Sequence, residues 1–338
     1  MDDKKYYIIC RPAPLTGIGE TACGVAAQTI FARDNDMIPV VDMQHYRNQY
    51  FKDGREYKEN AWEYFFEQPA GISLDDIKDG TCKISPTGIY PENKNRIAVW
   101  DLPVNGFYSV EPEIRELKEQ YKNIIHLNKE TLEYVQNKYN EILKEEKNIL
   151  GVLVRGTDYA VRRTKGEQRQ PNPKTVIKKI YEYLKKYPEI SKIYIATEDD
   201  KLFHMFKDEF GDKLLDNNQF RFKYDDKRMP IISSIKVDRP NHNWQLAREY
   251  LSSLYILSKC KYFIGGRCAG TKVAWIMSDG WEDCYIWSLG RYGHLRIFDY
   301  SKNIFQITNK KDHIVGKYKE LTLFGCKFTF RKKNPRNK

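Results

Sequence analysis

Apolar runs and helical patterns alternate along most of the chain. In the first half, the runs at residues 6–10 and 38–42 predict buried strands, because a short continuous apolar run is typical of a covered strand. Between them, apolar residues from 22 to 30 recur on one face of a helix. Further helices are predicted at residues 112–121 and 129–146.

The second half repeats this alternation more regularly. Apolar runs predict strands at residues 149–154, 192–196, 262–264 and 285–287. Such alternation indicates βαβ units, and hence a parallel sheet in each half. The predicted helices of this half are one from residue 173, one over 199–210 with Thr197 as its cap, one over 243–259, and one opened by Gly265 and Gly266.

The length of the chain predicts more than one domain. A chain of 338 residues fits two domains of about 100 to 200 residues each. The polar stretch at residues 144–148 is the expected boundary, which gives an α/β domain at 1–148, a second at 149–300, and an extension at 301–338. With 41% hydrophobic and 14% aromatic residues, the chain has enough apolar surface for packed cores, which excludes intrinsic disorder.

No targeting or membrane-spanning segment is predicted. The apolar run after the first five residues is far shorter than a signal peptide, and no stretch approaches the roughly 20 apolar residues that cross a bilayer. The seven cysteines are scattered, without the CxxC spacing of a metal or redox site. A protein of a reducing cytoplasm is therefore expected.

The formal net charge of +11 indicates an anionic partner. Nucleic acid, an anionic membrane surface and a phosphorylated small molecule are the three alternatives. No basic face with interleaved aromatic residues is evident, so nucleic acid is not expected. The basic cluster at residues 331–338 is either a solvated end or a peripheral contact with anionic lipid headgroups.

Three predicted strand ends in the second half carry groups suited to a phosphorylated ligand. Ligands of open α/β sheets lie outside the carboxyl ends of the strands. Arg155, Gly156, Thr157 and Asp158 follow the first strand. Arg155 could donate two hydrogen bonds to phosphate oxygens, and Gly156 would let a ligand approach the backbone. The alternative is a structural ion pair between Arg155 and Asp158.

The second strand end carries Thr197, Glu198 and Asp199. Acidic groups at this position can accept hydrogen bonds from ribose hydroxyls. The alternative is that the acidic residues favour the first turn of the next helix through its dipole.

At the third strand end, a glycine turn leads into a helix. Backbone N–H groups at such a turn are unpaired and can bind an anion. The residues expected to do so are Gly265, Gly266, Arg267, Cys268, Gly270 and Thr271.

These three segments resemble known motifs. Residues 151–159 look like the His-x-Arg-Arg-x-Asp signature of the α1,2, α1,6 and protein O-fucosyltransferase superfamily, and residues 195–199 and 257–266 are similar to its second and third motifs. The resemblance implies a bacterial member with two facing Rossmann-like domains, the GT-B architecture. It also implies a GDP-fucose donor, no metal, inversion of the anomeric centre, donor binding in the second half and acceptor binding in the first.

The chain departs from the signature at several positions. Leu153 stands where the superfamily often has a histidine that holds guanine, Gly156 replaces the second arginine, and Cys268 stands where a serine often meets the phosphates. The first arginine and the aspartate are kept as Arg155 and Asp158. Guanine would then be read by backbone groups or by an acid on the long helix, such as Glu249.

The expected function is metal-independent, inverting transfer of fucose from GDP-fucose to a glycan or lipid-linked acceptor of a bacterial surface polysaccharide. Arg155 and Asp158 would act at the donor, and Glu167 is the candidate base for the acceptor hydroxyl. Two alternatives stay open, namely a non-catalytic sugar-nucleotide or glycan-binding relative, and a glycosyltransferase that uses a different nucleotide sugar.

Three other patterns resemble known sites but have another interpretation that we favour. Gly17 and Gly19, with Asp42 at the end of the next strand, resemble a dinucleotide fingerprint, but the glycines lie too far from the first strand and would instead let an acceptor or the donor diphosphate approach. Asp34-Asn35-Asp36 has the form of a metal-binding Asp-x-Asp, yet it falls where a polar turn is expected. The aromatic residues 62–66 could stack on an acceptor sugar, and core packing is the preferred alternative.

Overall fold

The computed structural model describes residues 4–10, 15–77, 83–84, 95–99, 101–103, 110–143, 146–157, 163, 166–223, 235–292, 305–312, 316–323 and 326–331. Within these ranges the chain forms two parallel sheets covered by helices, and a third, antiparallel sheet. The predicted α/β class is therefore confirmed. None of the helices in these ranges is both long and apolar enough to cross a membrane.

The first half is built on a three-stranded parallel sheet with the order β2-β1-β3. Its strands are β1 (Tyr6–Ile9), β2 (Ile38–Val41) and β3 (Lys83–Ile84). Helix α1 (Ile18–Asp34) crosses from β1 to β2 and buries most of its residues, because it packs against both the sheet and the second half. The sequence predicted β1, α1 and β2, whereas the two-residue β3 is too short to give a pattern.

The second half is built on a five-stranded parallel sheet with the order β6-β5-β4-β7-β8. The central strand β4 is buried at every residue, as expected where helices cover both faces of a sheet. The strands are β4 (Ile149–Leu153), β5 (Lys192–Ala196), β6 (Leu214–Leu215), β7 (Tyr262–Gly266) and β8 (Asp283–Trp287).

Within the described ranges, six further helices cover the sheets. Two of them, α2 (Pro112–Lys122) and α3 (Lys129–Leu143), lie between the halves in sequence. The others are α4 (Pro173–Lys186), α5 (Asp200–Phe210), α6 (His242–Lys259) and α7 (Ala269–Met277).

Two predicted helix starts are wrong. Asp199, not Thr197, caps α5, since its side chain accepts the N–H of Leu202. The glycines Gly265 and Gly266 belong to β7, and α7 begins only at Ala269. Both errors arise because sequence patterns locate element ends only to within a few residues.

The two halves share one hydrophobic core, in which residues of both sheets and of the helices between them are in contact. A partly buried ion pair also joins them. Lys272 of α7 is 2% exposed, and its Nζ lies 2.9 Å from Glu20 Oε2 of α1. Lys118 of α2 donates to the carbonyl oxygen of Ser278, at the end of α7. These polar contacts fix the orientation of one half on the other. The limits at residues 148 and 300 stay predictions.

An antiparallel sheet follows the second half, where the sequence predicted only an extension. Its strands β9 (Phe305–Asp312), β10 (Gly316–Leu323) and β11 (Cys326–Arg331) pair in the order β11-β10-β9. Lysines interrupt the apolar positions of this segment, so the pattern gave no strand signal. Residues 332–338 of the basic tail lie outside the described residues.

Candidate functional site

The three predicted strand ends meet at one edge of the second sheet. Strand β4 pairs in parallel with β5 on one side and with β7 on the other, so that Leu153 lies opposite both Ala196 and Gly265. The segments that follow these residues therefore emerge side by side at the carboxyl edge. The sequence predicted this meeting, because parallel neighbours end on the same side.

Arg155 is held in place by Glu198. Its Nη1 lies 3.4 Å from Glu198 Oε1, and the two side chains are 18% and 15% exposed. The same carboxylate oxygen accepts the N–H of Gly156 at 3.2 Å and the hydroxyl of Thr157 at 3.0 Å. The guanidinium thus has a fixed position at the strand end. Asp158, the partner expected from the sequence, lies outside the described residues.

Gly156 makes room for a side chain of the protein, and its predicted contact with a ligand stays a prediction. A Cβ atom added at Gly156 would overlap Asp199 Oδ2, and it would lie 2.7 Å from Asp199 Cβ and from Leu202 Cδ1. The Asp199 carboxylate uses this space to accept the N–H of Thr157 at 3.0 Å. The glycine is therefore required for the packing of the second strand end against the first.

Thr157 has a strained backbone. Its φ of 49° lies in the left-handed region, which β-branched residues rarely adopt. Such a conformation costs on the order of 1–3 kcal/mol and persists only where the surroundings fix it. Glu198 and Asp199 do so by accepting the hydroxyl and the N–H of this fully buried residue. These hydrogen bonds fix the strained turn that follows Arg155.

The polar residues at the carboxyl end of β5 are buried and make hydrogen bonds within the protein. Asp199 is 1% exposed, and Thr197 is 2% exposed. The carbonyl of Thr197 accepts the side chain of Gln219 at 2.7 Å, and its hydroxyl accepts the N–H of Asp199 at 3.3 Å. Asp199 thus supports the turn that follows Arg155, and the donor contact expected of Thr197 and Asp199 stays a prediction.

The third strand end leads into α7 through Arg267 and Cys268. Cys268 is the residue before the helix, and no side chain caps the first turn there. The hydroxyl of Thr271 donates to the carbonyl of Gly266 at 2.6 Å, and it lies 3.5 Å from Cys268 Sγ. Thr271 thus closes the turn. A Cβ atom at Gly270 would lie 3.1 Å from Leu153 Cδ2, so the first turn of α7 lies beside the end of β4.

Gln170, which the sequence did not single out, fills the space beside Gly266. A Cβ atom at Gly266 would overlap Gln170 Oε1 and lie 3.0 Å from its Cδ. The amide Nε2 of Gln170 donates to the carbonyl oxygens of Arg267 at 3.0 Å and Gln168 at 3.3 Å. Because Gln170 lies almost 100 residues before Gly266, no local pattern could have found this contact.

Gln170 ends a short β-ribbon that carries Glu167. Residues 166–169 run antiparallel to residues 290–292, with backbone hydrogen bonds of 2.8 and 2.9 Å. Glu167 is exposed, and its carbonyl oxygen accepts the N–H of Tyr292. The ribbon links the candidate base to the segment at Arg267, and the catalytic role of Glu167 stays a prediction.

The first turns of α1 and α7 lie close together at the junction of the halves. A Cβ atom at Gly270 in α7 would lie 2.6 Å from the hydroxyl of Tyr250, and one at Gly19 in α1 would lie 3.7 Å from the ring of the same tyrosine. The N-terminal end of a helix carries a partial positive charge. Two such ends near one tyrosine make the junction favourable for an anionic ligand.

Glu249, the residue suggested for guanine, is paired within the chain. Its carboxylate lies 2.5 Å from Arg239 Nη2 and accepts the N–H of Phe220 at 3.3 Å. Close by, His242 is buried between the rings of Phe220 and Phe222, with no hydrogen-bond partner for either ring nitrogen. Burial and the neighbouring Arg239 lower the pKa of His242.

The other sequence patterns take structural roles. Asp42 is 6% exposed and accepts the N–H groups of Gln44 and His45, so its carboxylate is not open to a ribose. Asn35 ends α1, and Asp36 has a φ of 54°, as in a tight turn. The rings at residues 62, 65 and 66 are at most 1% exposed and belong to the core.

Among the described residues, no group of three His, Cys, Asp or Glu side chains is placed so that it could hold a metal ion. Metal independence stays a prediction.

Neither a protein-family model nor a curated protein sequence matches the chain. Solved structures of fucosyltransferases are similar in fold. The crystal structure of NodZ α-1,6-fucosyltransferase soaked with GDP-fucose is similar with a TM-score of 0.50 and 16% identity, over 88% of this chain and 99% of that chain. The structure of POFUT1 in complex with GDP is similar with a TM-score of 0.48 and 10% identity, over 87% of this chain and 99% of that chain. A mutant of Arabidopsis thaliana FUT1 in complex with GDP is similar with a TM-score of 0.45 and 11% identity, over 85% of this chain and 71% of that chain. The resemblance to fucosyltransferases expected from the motifs is thus confirmed for the fold.

Proposed function

We propose that this protein is a metal-independent, inverting glycosyltransferase that uses GDP-fucose as its donor. The observation that carries the proposal is the position of Arg155, fixed by Glu198 at the carboxyl end of β4, beside the first turn of α7. The fold that holds it is similar to that of NodZ soaked with GDP-fucose. The sequence motifs and the fold thus support the same class of ligand.

The chemistry follows from the charge of the leaving group. During transfer, the bond between the anomeric carbon and the phosphate oxygen breaks, and the electron pair leaves with the nucleotide diphosphate. Arg155 and the first N–H groups of α7 would stabilise the negative charge that develops there. Because Glu198 already holds the arginine and also binds the neighbouring Thr157, little reorganisation is needed during the reaction.

The acceptor half of the reaction is assigned to the first half of the chain. A hydroxyl of a glycan or lipid-linked acceptor would attack the anomeric carbon from the side opposite the diphosphate, with inversion. The acceptor class proposed is a bacterial surface polysaccharide or its lipid-linked precursor, by analogy with the resemblance given above. A peripheral contact of the basic C-terminal residues with anionic lipids would bring the protein to such an acceptor.

The proposal is tested first at the donor. A ligand that binds only the folded state at a hundred times its dissociation constant stabilises it by about 2.7 kcal/mol. GDP should therefore raise the melting temperature by a few degrees, whereas UDP, CMP and NAD at the same concentration should not. A shift with UDP or CMP and none with GDP would exclude the fucosyl donor but keep a glycosyltransferase. A shift with NAD alone would contradict both.

Turnover separates the enzyme from a non-catalytic relative. Incubation with GDP-fucose should release GDP, slowly to water alone and faster when the correct acceptor is added. A protein that binds GDP-fucose and releases no GDP over many hours, with any of a panel of glycan and glycolipid acceptors, would instead be a sugar-nucleotide-binding protein. The departures at Leu153, Gly156 and Cys268 are the features that favour this second candidate.

A further inference from the structure

One histidine of the first half has the geometry of an oriented base. His45 follows the end of β2, its side chain is 62% exposed, and its Nδ1 lies 3.1 Å from Asp42 Oδ2. The other carboxylate oxygen of Asp42 accepts the N–H groups of Gln44 at 2.9 Å and His45 at 3.0 Å. Asp42 itself is 6% exposed. A buried carboxylate with a fixed position thus holds an exposed imidazole.

This hydrogen bond decides which nitrogen can accept a proton. A carboxylate accepts from Nδ1–H, so the neutral imidazole carries its lone pair on Nε2, directed away from Asp42. The same logic applies wherever a carboxylate orients a histidine base. In neutral His45, Nε2 is therefore the nitrogen with the free lone pair, and the exposed side chain can meet a hydroxyl group.

The other described histidines lack this arrangement. His126 lies 3.8 Å from Glu67, and both side chains are more than half exposed. His204 lies 3.7 Å from Asp200 on the surface of α5. His242 is buried without a hydrogen-bond partner. Among the described residues, only His45 combines an exposed ring with a short hydrogen bond to a buried carboxylate.

The loop that carries His45 runs along the junction between the halves. Tyr50 donates to the carbonyl of Thr16 at 2.8 Å, just before α1 begins. Further on, Asp53 and Asn241, the residue before α6, exchange two hydrogen bonds of 2.7 Å. The loop over residues 42–53 therefore begins at the carboxyl edge of the first sheet, passes the first turn of α1 and ends on the second half.

A rigid platform supports the loop. At the end of β2, the carbonyl of Val41 accepts the side-chain amides of Asn60 and Gln68, and the N–H of Met43 donates to Asn60 at 3.0 Å. Asn48 donates to the carbonyl of Met43 at 2.8 Å and so closes the loop on itself. Groups held in this way meet the requirement that a reactive side chain be positioned before the substrate arrives.

We propose that His45 is the catalytic base of the proposed glycosyl transfer, with Asp42 as its positioning residue. The inference rests on the proposed function. The acceptor hydroxyl gives its proton to Nε2 of His45 as its oxygen forms the bond to the anomeric carbon. The bond from that carbon to the diphosphate oxygen breaks, and the electron pair leaves with GDP. Asp42 stabilises the imidazolium that forms. Glu167, the base expected from the sequence, is the competing assignment.

The test compares transfer to the acceptor with GDP binding in the same protein. His45→Gln should slow transfer to the acceptor by about a hundredfold or more, in the range found for loss of a general base. The stabilisation of the protein by GDP should not change, since GDP binding does not use the base. His126→Gln is the matched control, because it changes an exposed histidine beside a carboxylate elsewhere, and it should transfer at the wild-type rate.

Chemical rescue adds a readout that a structural role would not give. His45→Ala should recover part of its transfer rate when imidazole is added, because a free base can enter the space left by the ring. Asp42→Asn should lose transfer but keep GDP binding, because the amide no longer fixes the Nδ1–H tautomer. Glu167→Gln should transfer at close to the wild-type rate.

Several results would overturn the inference. A His45→Gln variant that transfers as fast as the wild type would exclude His45 as the base, whereas the wild-type activity would still support the proposed function. Parallel loss of GDP binding and transfer in this variant would show a structural role. Loss of transfer in Glu167→Gln with normal transfer in His45→Gln would assign the base to Glu167. A wild-type protein without transfer to any acceptor would contradict the proposed function and the base together.

Discussion

The carboxyl edges of the two parallel sheets differ in how their polar side chains are used. At the edge of the second sheet, Glu198 and Asp199 are occupied by the turn at residues 155–157, and the spaces beside Gly156 and Gly266 are filled by side chains of the chain itself. At the edge of the first sheet, Asp42 is also occupied, but it holds the exposed ring of His45. The second edge is thus a closed, braced structure around one arginine, and the first edge presents a side chain to solvent.

This difference suggests a division of labour. A donor with a diphosphate requires fixed positive charge and preorganised N–H groups, which a braced edge supplies. An acceptor that varies in structure requires an accessible group beside an open surface. Substitutions at the second edge should therefore affect binding of GDP, and substitutions at the first edge should affect only transfer to the acceptor.

The largest effect is expected at Arg155. Arg155→Lys keeps the charge but cannot make two parallel hydrogen bonds to a phosphate, so transfer should fall by about a hundredfold, or about 3 kcal/mol in the transition state. The measurement is the rate of GDP release with and without acceptor. Arg55→Lys, at an exposed arginine of the first half, is the control and should have no effect. A wild-type rate for Arg155→Lys would remove Arg155 from the donor site.

A smaller effect is expected at Gly156, through stability as well as binding. Gly156→Ala forces a methyl group into the space of Asp199, which must move and release the strained Thr157. Overpacking of this kind costs about 1–3 kcal/mol, so the melting temperature should fall by several degrees and GDP should stabilise less. Gly17→Ala adds a methyl group where nothing lies within 4 Å and should change the melting temperature much less. An equal fall in melting temperature in the two variants would contradict the role of Gly156 in packing against Asp199.

A change at Gln170 should have a still smaller effect, limited to the KM for the donor GDP-fucose. Gln170→Glu keeps the size of the side chain but places a carboxylate against the carbonyl oxygen of Arg267, where an amide now donates at 3.0 Å. Loss of one such hydrogen bond costs about 1 kcal/mol, so the KM for GDP-fucose should rise several-fold with little change in the acceptor KM. A rise in the acceptor KM alone would place the ribbon on the acceptor side.

The smallest effect is expected from removal of metal ions. Dialysis against EDTA should leave transfer unchanged if Arg155 and the helix N-terminus supply the positive charge that the leaving diphosphate needs. The measurement is the initial rate before and after dialysis, and again after addition of magnesium or manganese. A loss of transfer that either ion restores would show that the carboxyl edge of the second sheet does not supply enough positive charge by itself.

The sequence by itself determined the architecture of both edges. Continuous apolar runs gave strands β1, β2, β4, β5, β7 and β8, and the helical patterns gave the helices between them, because burial imposes its period on the residues of each element. Since parallel strands end on one side, the meeting of Arg155, Glu198 and Gly266 followed as well. The antiparallel sheet at residues 305–331 was missed, because its lysines hide the alternation.

Only the tertiary structure decided which groups are partners. Arg155 pairs with Glu198, which lies 43 positions away, and Gly266 accommodates Gln170, which lies 96 positions away. The imidazole of His45 could be seen as oriented only once the burial of Asp42 was known. A local pattern records which face of an element is buried. It does not record which side chain from a distant segment fills a given space, because hydrogen bonds and close packing depend on distances that chain folding alone creates.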